Sequence, residues 1–393
     1  MKQYALITGS YWVFTLTDGA LRMLVVLYFH ELGYSPLDIA FLFLFYEFFG
    51  IITNLFGGWL AARIGLSATI ISGLFLQTFA LGMLLVDSSY LTVAYVMAAQ
   101  ALSGVAKDLN KLGAKSSVKL VAGDNQTKLY RWVAWLTGSK NALKGVGFFA
   151  GGAGLATIGF SASVVTMLLC VGVVGVVALL LLDTNLGKAS FKPKFSELFS
   201  KSRQINLLSA ARLFLFAARD VWVVVALPVL LQLELGWSGI SVGTFLAAWV
   251  IGYGLVQAIA PKITNIVHKG VPDGRAALLW CLPLVTVPVA MALGLQQRFD
   301  PAAVIVLGLA CFALVFAMNS ALHSFLITSY ANSDGVSLDV GFYYTANAVG
   351  RLLGTVCSGW VYQAHGLAAC LSVSAFFIAL VLLISLQLPR HAK

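Results

Sequence analysis

Long apolar runs alternate with short polar segments along the whole chain. The runs are about 20 residues long, the length that a helix needs to cross the roughly 30 Å hydrocarbon core of a bilayer. The pattern therefore predicts an all-α integral membrane protein with both termini on one side. The twelve predicted transmembrane helices cover residues 5–29, 37–61, 68–86, 90–107, 132–158, 162–182, 207–232, 240–261, 276–296, 302–326, 341–363 and 367–388.

The longest polar segment, 183–206, follows the sixth predicted helix. It predicts an N-terminal six-helix half over residues 1–182, a cytoplasmic linker over 183–206 and a C-terminal six-helix half over 207–393. The sequence ELGYS at 31–35 closes the first helix, and ELGWS at 234–238 closes the seventh. These repeated motifs predict two pseudo-symmetric halves, an arrangement in which a binding site commonly lies near the membrane midplane.

The fifth and eleventh predicted helices share a second repeat. Gly147-x-x-x-Gly151 recurs as Gly350-x-x-x-Gly354, which places small residues on one face of each helix and predicts a close approach to a neighbouring helix. An Asn-Ala pair precedes each set, at 141–142 and 347–348, so Lys144 and Arg351 occupy similar positions after it.

Composition agrees with a membrane protein, since 60% of the residues are hydrophobic and only 10% are charged, against about a quarter in soluble domains. A net charge of +10 would suggest a nucleic-acid partner for a soluble protein. Here eighteen of the 25 Lys and Arg residues fall on the side of the termini and only Arg298 on the other. Because cytoplasmic loops retain positive charge, we expect cytoplasmic termini and no nucleic-acid partner.

Nine ionisable side chains fall inside the apolar runs, where each is costly unless it faces a cavity or a partner. Six are cations and three are acids, so the balance favours an anionic cargo. The predicted substrate-binding residues are Arg22, Lys140, Lys144, Arg219 and Arg351. The acids, predicted to couple protons or to pair with the cations, are Asp18, Glu47 and Asp220.

Spacing leaves several of these roles open. Asp18 and Arg22 are four residues apart and could neutralise each other. The side chains of Arg219 and Asp220 leave the helix about 100° apart, which predicts that they are poor partners. Arg212 lies near a predicted helix end and is expected to be interfacial.

Two basic stretches have alternative explanations. Lys140 could reach the cytoplasmic interface rather than a cargo. Lys107, Asp108 and Lys111 are predicted to form the cytoplasmic end of the fourth helix, where they could attract an anion or simply set topology. The five cysteines and five histidines form no metal-binding or catalytic motif, so neither a cofactor nor a metal is predicted.

The loop GWLAARIGL at 58–66 resembles the G-x-L-A-D-R-x-G-R loop of the major facilitator superfamily. Ala62 stands where that loop has its acid, and Leu66 where it has its last base. A gating network of charged side chains at this loop is therefore doubtful.

Five stretches together resemble the organoarsenical efflux permeases of that superfamily, and the likeness extends over essentially the whole chain. They cover residues 11–36, 45–59, 98–111, 137–149 and 192–222. The resemblance implies a bacterial inner-membrane exporter of 1-arseno-3-phosphoglycerate, which glyceraldehyde-3-phosphate dehydrogenase forms from arsenate. Export would confer arsenate resistance.

The resemblance to the superfamily further implies a monomer in the lipid bilayer that works by alternating access. Another organic-anion or organophosphate facilitator, acting as an importer or exchanger, is the alternative function. A membrane enzyme would need a catalytic cluster, and a channel usually needs rings of like charges. Neither pattern is found in the sequence.

Overall fold

A computed structural model describes residues 2–390 apart from 35–38, 40–41, 184, 191–192, 200 and 269, and omits the side chains of 239, 240 and 268. The described residues form helices and connecting turns, with no strand. The α-helices are α1 Lys2–Glu31, α2 Leu44–Ile64, α3 Leu66–Met83, α4 Val93–Ala122, α5 Gln126–Leu181, α6 Arg203–Val223, α7 Ala226–Leu233, α8 Gly239–His268, α9 Gly274–Gln296, α10 Pro301–Tyr330 and α11 Val336–Ser385.

Helices α5 and α11 each contain two membrane spans. With 56 and 50 residues they would be roughly 84 and 75 Å long at 1.5 Å per residue, more than twice the hydrocarbon core. Each breaks at a glycine with positive φ, Gly159 at 79° and Gly366 at 75°. Nine segments of the described chain are long and apolar enough to cross a membrane. With these two divided and the more polar α4 added, the architecture matches the predicted twelve spans.

The helix that carries the fourth predicted span is longer than that span. The predicted span ends at Lys107, and α4 continues beyond the predicted polar end at Lys111 to Ala122. Lysine has good helix propensity, and the small residues that follow Lys107 allow α4 to pack closely on α3. Gly113, for example, lies against the side chain of Ile70. Lys107 and Lys111 therefore lie in the middle of a helix and do not count as loop charges. The predicted start of the second span, residue 37, lies outside the described residues.

Contacts divide the chain into two compact units. Unit 1 contains Met1–Asn125, Ser139–Ser200 and Ala331–Thr345. Unit 2 contains Gln126–Gly138, Lys201–Tyr330 and Ala346–Lys393. Thus the first residues of α5 pack with unit 2, and the first residues of α11 pack with unit 1. The predicted division at the 183–206 linker remains a prediction.

The repeated glycines form close helix crossings, as predicted. In unit 1 a Cβ on Gly147 would lie 2.4 Å from the carbonyl oxygen of Leu16, and one on Gly151 would lie 2.2 Å from that of Ala20. Because real Cβ atoms do not come so close to a backbone oxygen, only glycine allows α1 and α5 to approach this closely.

Unit 2 repeats this crossing between α6 and α11. A Cβ on Gly350 would lie 2.1 Å from the carbonyl oxygen of Leu213, and one on Gly354 would lie 2.7 Å from that of Ala217. The glycines repeat at an offset of 203 residues, but their partners on α1 and α6 repeat at 197.

These crossings correct the register of the repeat. At an offset of 197, Arg22 corresponds to Arg219. At an offset of 203, Lys144 corresponds to Asn347. Lys144 and Arg351 lie at similar distances after the Asn-Ala pairs but do not correspond in the repeat, because those pairs are not in register with the glycines.

A second pair of crossings lies within the units. In unit 1 a Cβ on Gly58 of α2 would lie 2.5 Å from the carbonyl oxygen of Ser337, at the start of α11. In unit 2 a Cβ on Gly138 of α5 would lie 2.4 Å from the carbonyl oxygen of Gly254 in α8. Gly138 and Gly341 also differ by 203 residues, and Gly341 lies against the carbonyl oxygen of Asn54.

Candidate functional site

A carboxylate buried in unit 2 holds two arginines. Asp220 is 0% exposed; its Oδ1 is 2.5 Å from Nε of Arg219, and its Oδ2 is 3.3 Å from Nε of Arg351. The prediction that Arg219 and Asp220 are poor partners is wrong. Their Cα–Cβ bonds diverge, but the Arg219 side chain is long enough to fold back to the neighbouring carboxylate.

The crossing of α6 and α11 positions this cluster. The Cβ that Gly354 lacks would lie 2.9 Å from Cβ of Asp220, so the two helices touch beside the carboxylate. Arg351 lies one turn before Gly354 and reaches the same carboxylate from α11. On α6, the guanidinium of Arg219 lies over the ring of Phe216, 4.6 Å from its centroid, a favourable cation–π contact.

Arg212 is a third arginine of unit 2, and it is buried at 3% exposure. Its Nε donates to Oδ1 of Asn347 at 2.8 Å, and its Nη1 donates to the carbonyl oxygen and hydroxyl of Ser320 at 3.3 and 3.2 Å. The guanidinium also stacks over Phe216 at 4.1 Å. The prediction of an interfacial side chain is wrong, since Arg212 joins α6, α10 and α11 from within.

Replacing Arg212 with alanine is expected to lower stability more than transport specificity. Its hydrogen bonds from a charged donor contribute about 1.5–3 kcal/mol each before relaxation, and the polar groups of Asn347 and Ser320 would lose that donor. Thermal unfolding of the detergent-purified protein should show a clear drop in Tm. Arg390, whose Nη2 donates to the carbonyl oxygen of Leu386 at an exposed position, provides the control variant Arg390→Ala. Equal Tm values for the two variants would contradict this role.

Unit 1 contains a second cluster, in which Arg22 pairs with Glu47. Nη2 of Arg22 lies 3.1 Å from Oε1 of Glu47, and its guanidinium lies 5.1 Å from the ring centroids of Phe43 and Tyr46. Asp18 instead accepts a hydrogen bond from the Tyr46 hydroxyl at 2.6 Å. Asp18 and Arg22 therefore have different partners and do not simply neutralise each other.

Helix α4 also contributes to this cluster, although Lys107 and Lys111 are not among the predicted substrate-binding residues. The Asp108 carboxylate, 2% exposed, forms ion pairs with Lys107 at 3.8 Å and with Lys111. The Lys107 ammonium lies 3.8 Å from the ring centroid of Tyr46, and that of Lys111 lies 4.8 Å from the ring of Tyr344. The i, i+3 spacing of Asp108 and Lys111 signals a helical ion pair, and it could have shown that the helix continues.

Lys144 and Lys140 lie half-buried on the first part of α5. The charged groups close enough to Lys144 to interact with it are Arg22, Asp18, Lys140 and Lys107. The close packing of Gly19 on the Lys144 carbonyl oxygen brings its backbone to α1. The structure thus places Lys144 in the same region of unit 1 as Arg22 and Asp18.

Both clusters carry excess positive charge. In unit 1 the cations Arg22, Lys107, Lys111, Lys140 and Lys144 lie on α1, α4 and α5, and the acids Asp18, Glu47 and Asp108 lie on α1, α2 and α4. Helix α4 carries two further buried lysines, Lys115 and Lys119. In unit 2 the arginines Arg212, Arg219 and Arg351 lie on the helices that form the cluster around Asp220. The cations of both clusters outnumber the acids, which favours association with anions because buried charge without compensation is unfavourable.

The family model for the Major Facilitator Superfamily matches residues 7–355. The chain belongs to this superfamily. Membership implies a transporter rather than an enzyme, in a multi-pass membrane fold.

Solved structures confirm the major facilitator fold. The human organic anion transporter MFSD10 (TETRAN) is 15% identical, with a TM-score of 0.76 over 97% of this chain and 99% of that one. The E. coli fucose:proton symporter FucP is 12% identical, with a TM-score of 0.74 over 98% of each chain. A bacterial homologue of the iron transporter ferroportin, in an outward-facing state, is 14% identical, with a TM-score of 0.76 over 98% of this chain and 99% of that one. A search of curated protein sequences finds no match.

Proposed function

We propose that this major facilitator protein exports a small organic oxyanion, and that its cargo is 1-arseno-3-phosphoglycerate. The observation that carries the proposal is the sharing of one carboxylate by Arg219 and Arg351. Asp220 offsets only one of the two charges, so the pair keeps a net positive charge. An anionic cargo would complete the balance.

The chemistry of the side chains suits oxygen ligands. Guanidinium groups present planar, paired donors to phosphate-like groups, whereas lysines act as point charges. A pentavalent arsenate ester presents the same kind of oxygens as a phosphate, and the proposed cargo carries both groups. Arsenite would favour thiolates, and among the described residues the free cysteines are not gathered into a cluster with His, Asp or Glu that could hold a metal ion.

The likeness to an organic anion transporter agrees with this proposal but shows only the fold. The arsenical cargo is supported instead by the sequence resemblance and by the charges of the two clusters. In this proposal Arg22, Lys140, Lys144, Arg219 and Arg351 bind the cargo, and α4 adds Lys107 and Lys111. Export would take place across a bacterial inner membrane, by a monomer with cytoplasmic termini that receives its cargo from glyceraldehyde-3-phosphate dehydrogenase.

The three predicted acids are proposed to balance or couple this transport. Asp18 is 6% exposed and is held by the Tyr46 hydroxyl beside Lys144 and Arg22. A proton on Asp18 would increase the net positive charge of its cluster and favour the bound anion. Glu47 and Asp220 have direct arginine partners, which favours charge pairing for them. Collapse of the proton gradient should slow efflux from loaded vesicles if a proton is coupled.

Expression in arsenate-sensitive cells together with the dehydrogenase tests the cargo. We expect higher arsenate tolerance and less retained arsenic than in cells that carry either protein alone, because both formation and export of the ester are needed. Western blots of the membrane fraction control for insertion. Unchanged tolerance with properly inserted protein would reject the arsenical cargo.

The alternative function predicts a different result in the same cells. A general organophosphate facilitator would leave arsenate tolerance unchanged but would exchange labelled 3-phosphoglycerate across vesicles that contain the purified protein. Measuring both activities therefore separates the two candidate functions.

A further inference from the structure

Residues 185–190 and 193–199 of the polar linker pack within unit 1. At one end of the linker, the Leu186 carbonyl oxygen accepts from the Leu66 N–H at 2.8 Å, and the Ala189 N–H donates to the Ala62 carbonyl oxygen at 2.9 Å. Leu66 and Ala62 flank the turn between α2 and α3. These bonds use only backbone atoms, so they need no charged side chain on this turn.

The next described part of the linker packs on α2. The Trp59 indole N–H donates to the Pro193 carbonyl oxygen at 3.1 Å. The ring of Phe195 lies 5.8 Å from that of Phe56 and 6.2 Å from that of Trp59. A short 3₁₀ helix, Phe195–Leu198, follows and buries Leu198 at 1% exposure. We call the described residues 185–190 and 193–199 the strap.

The strap also contacts the turn that precedes α11. The Ser190 N–H donates to Oδ1 of Asp334 at 2.9 Å, and the Ser190 hydroxyl bonds the other carboxylate oxygen. The two hydrogen bonds from Ser190, first that of the hydroxyl and then that of the N–H, lower the pKa of Asp334 below its usual value. The carboxylate is therefore charged at neutral pH, and charge-assisted hydrogen bonds are stronger than neutral ones.

Next to the residues that contact the strap, α2 and α11 cross closely at Gly58. The Ser337 hydroxyl donates to the Gly58 carbonyl oxygen at 2.9 Å, and Gly58 lies against the Ser337 backbone. Helix α2 belongs to the first predicted half and α11 to the second. The strap is bonded to α2 and to the turn that precedes α11. Any movement that separates α2 from the start of α11 must break the contacts of Ser190 with Asp334 or lift the strap from α2.

We propose that the strap is a conformational latch that fastens the start of α11 to α2, and that its release is a step of the transport cycle. It replaces the charged side chains that the α2–α3 loop lacks at Ala62 and Leu66. The Ala62 carbonyl oxygen and the Leu66 N–H, at the very positions of those missing charges, bond the strap instead. Alternating access requires helices from the two halves to separate and rejoin during the cycle, and the latch would set how readily this pair separates.

The accessibility of a buried position at the crossing tests the latch without any cargo. Val336, at the start of α11, is 1% exposed, so Val336→Cys in a background with all five native cysteines replaced by alanine or serine reports opening. We expect Asp334→Ala to increase the rate of maleimide labelling severalfold in membrane vesicles. Asp334→Asn retains an acceptor and should give a smaller increase. Ser190→Ala combined with Asp334→Ala should add nothing to Asp334→Ala alone, because both act on one contact.

Asp87 provides a matched control. Its carboxylate also accepts from the N–H and hydroxyl of one serine, Ser89, but the two residues lie in the same turn and fasten no separate segments. Asp87→Ala should leave labelling unchanged. Unchanged labelling in Asp334→Ala, equal increases for Asp87→Ala, or additive effects of Ser190→Ala and Asp334→Ala would each overturn the latch. Labelling needs no substrate, so this test of the latch remains valid even if the cargo is not an arsenical.

Discussion

Replacing Gly350 with alanine is expected to leave little stably folded protein in the membrane. The added methyl would lie 2.1 Å from the Leu213 carbonyl oxygen, with the Leu213 Cα at 2.8 Å. A backbone atom cannot rotate away, so α6 and α11 would have to move apart, and overpacking of this kind typically costs about 1–3 kcal/mol or more. We expect a low yield of monodisperse protein in detergent and a reduced Tm.

Gly359, on the same helix, separates this clash from helix propensity. Nothing lies within 4 Å of a Cβ built on Gly359. Alanine is favoured over glycine in a helix by about 1 kcal/mol, so Gly359→Ala should be neutral or slightly stabilising. If Gly350→Ala were as stable as Gly359→Ala, the close crossing of α6 and α11 would be wrong.

The second large effect is expected at Arg351. Arg351→Ala should reduce export by about 10- to 100-fold with the protein still inserted, because a hydrogen bond to a charged group contributes roughly 1.5–3 kcal/mol and each 1.4 kcal/mol is a factor of ten. Removing Arg351 leaves Asp220 paired with Arg219, so the carboxylate keeps a partner and folding should survive. Initial rates of efflux at several cargo concentrations would show the loss.

Arg351→Lys distinguishes a binding role from simple charge balance. Lysine retains the positive charge but lacks the planar pair of donors, so binding of an oxyanion should weaken while Asp220 remains neutralised. We expect an intermediate rate and a raised KM. Full activity of Arg351→Lys would indicate charge balance alone, and full activity of Arg351→Ala would remove Arg351 from the site.

The charged residues show where sequence reasoning reaches its limit. Depth in an apolar run was enough to select Arg22, Lys144, Arg219 and Arg351 as interior cations, and each lies well inside a helix. The same criterion did not select Lys107 and Lys111. A lysine lowers the local hydropathy, so a predicted span ends where lysines begin. The ion pairs with Asp108 compensate for that polarity inside the helix, and compensation depends on side-chain geometry that a hydropathy pattern does not contain.

Partner choice was decided by the tertiary structure for the same reason. Helix geometry placed Arg219 and Asp220 on diverging faces, yet the reach of the arginine side chain brings them to 2.5 Å. Arg212 sits near a helix end in sequence, but Asn347 and Ser320 come from other helices and hold it in the interior. Spacing along one helix fixes the direction in which each side chain leaves the backbone. It does not fix where the charged end of a long side chain lies.

The sequence by itself determined the membrane class, the approximate spans, the repeated glycines and the excess of interior cations. Each of these follows from one-dimensional quantities, namely the length of apolar runs, the spacing of small residues and the count of charges. Only the tertiary structure decided which cations share Asp220, how far α4 extends, and that the repeat has offsets of 197 and 203 residues on different helices. It also showed that a segment predicted as a linker is bonded to both α2 and the turn before α11. These are contacts between residues distant in sequence, and they depend on how closely helices approach, a quantity set by packing of the whole unit.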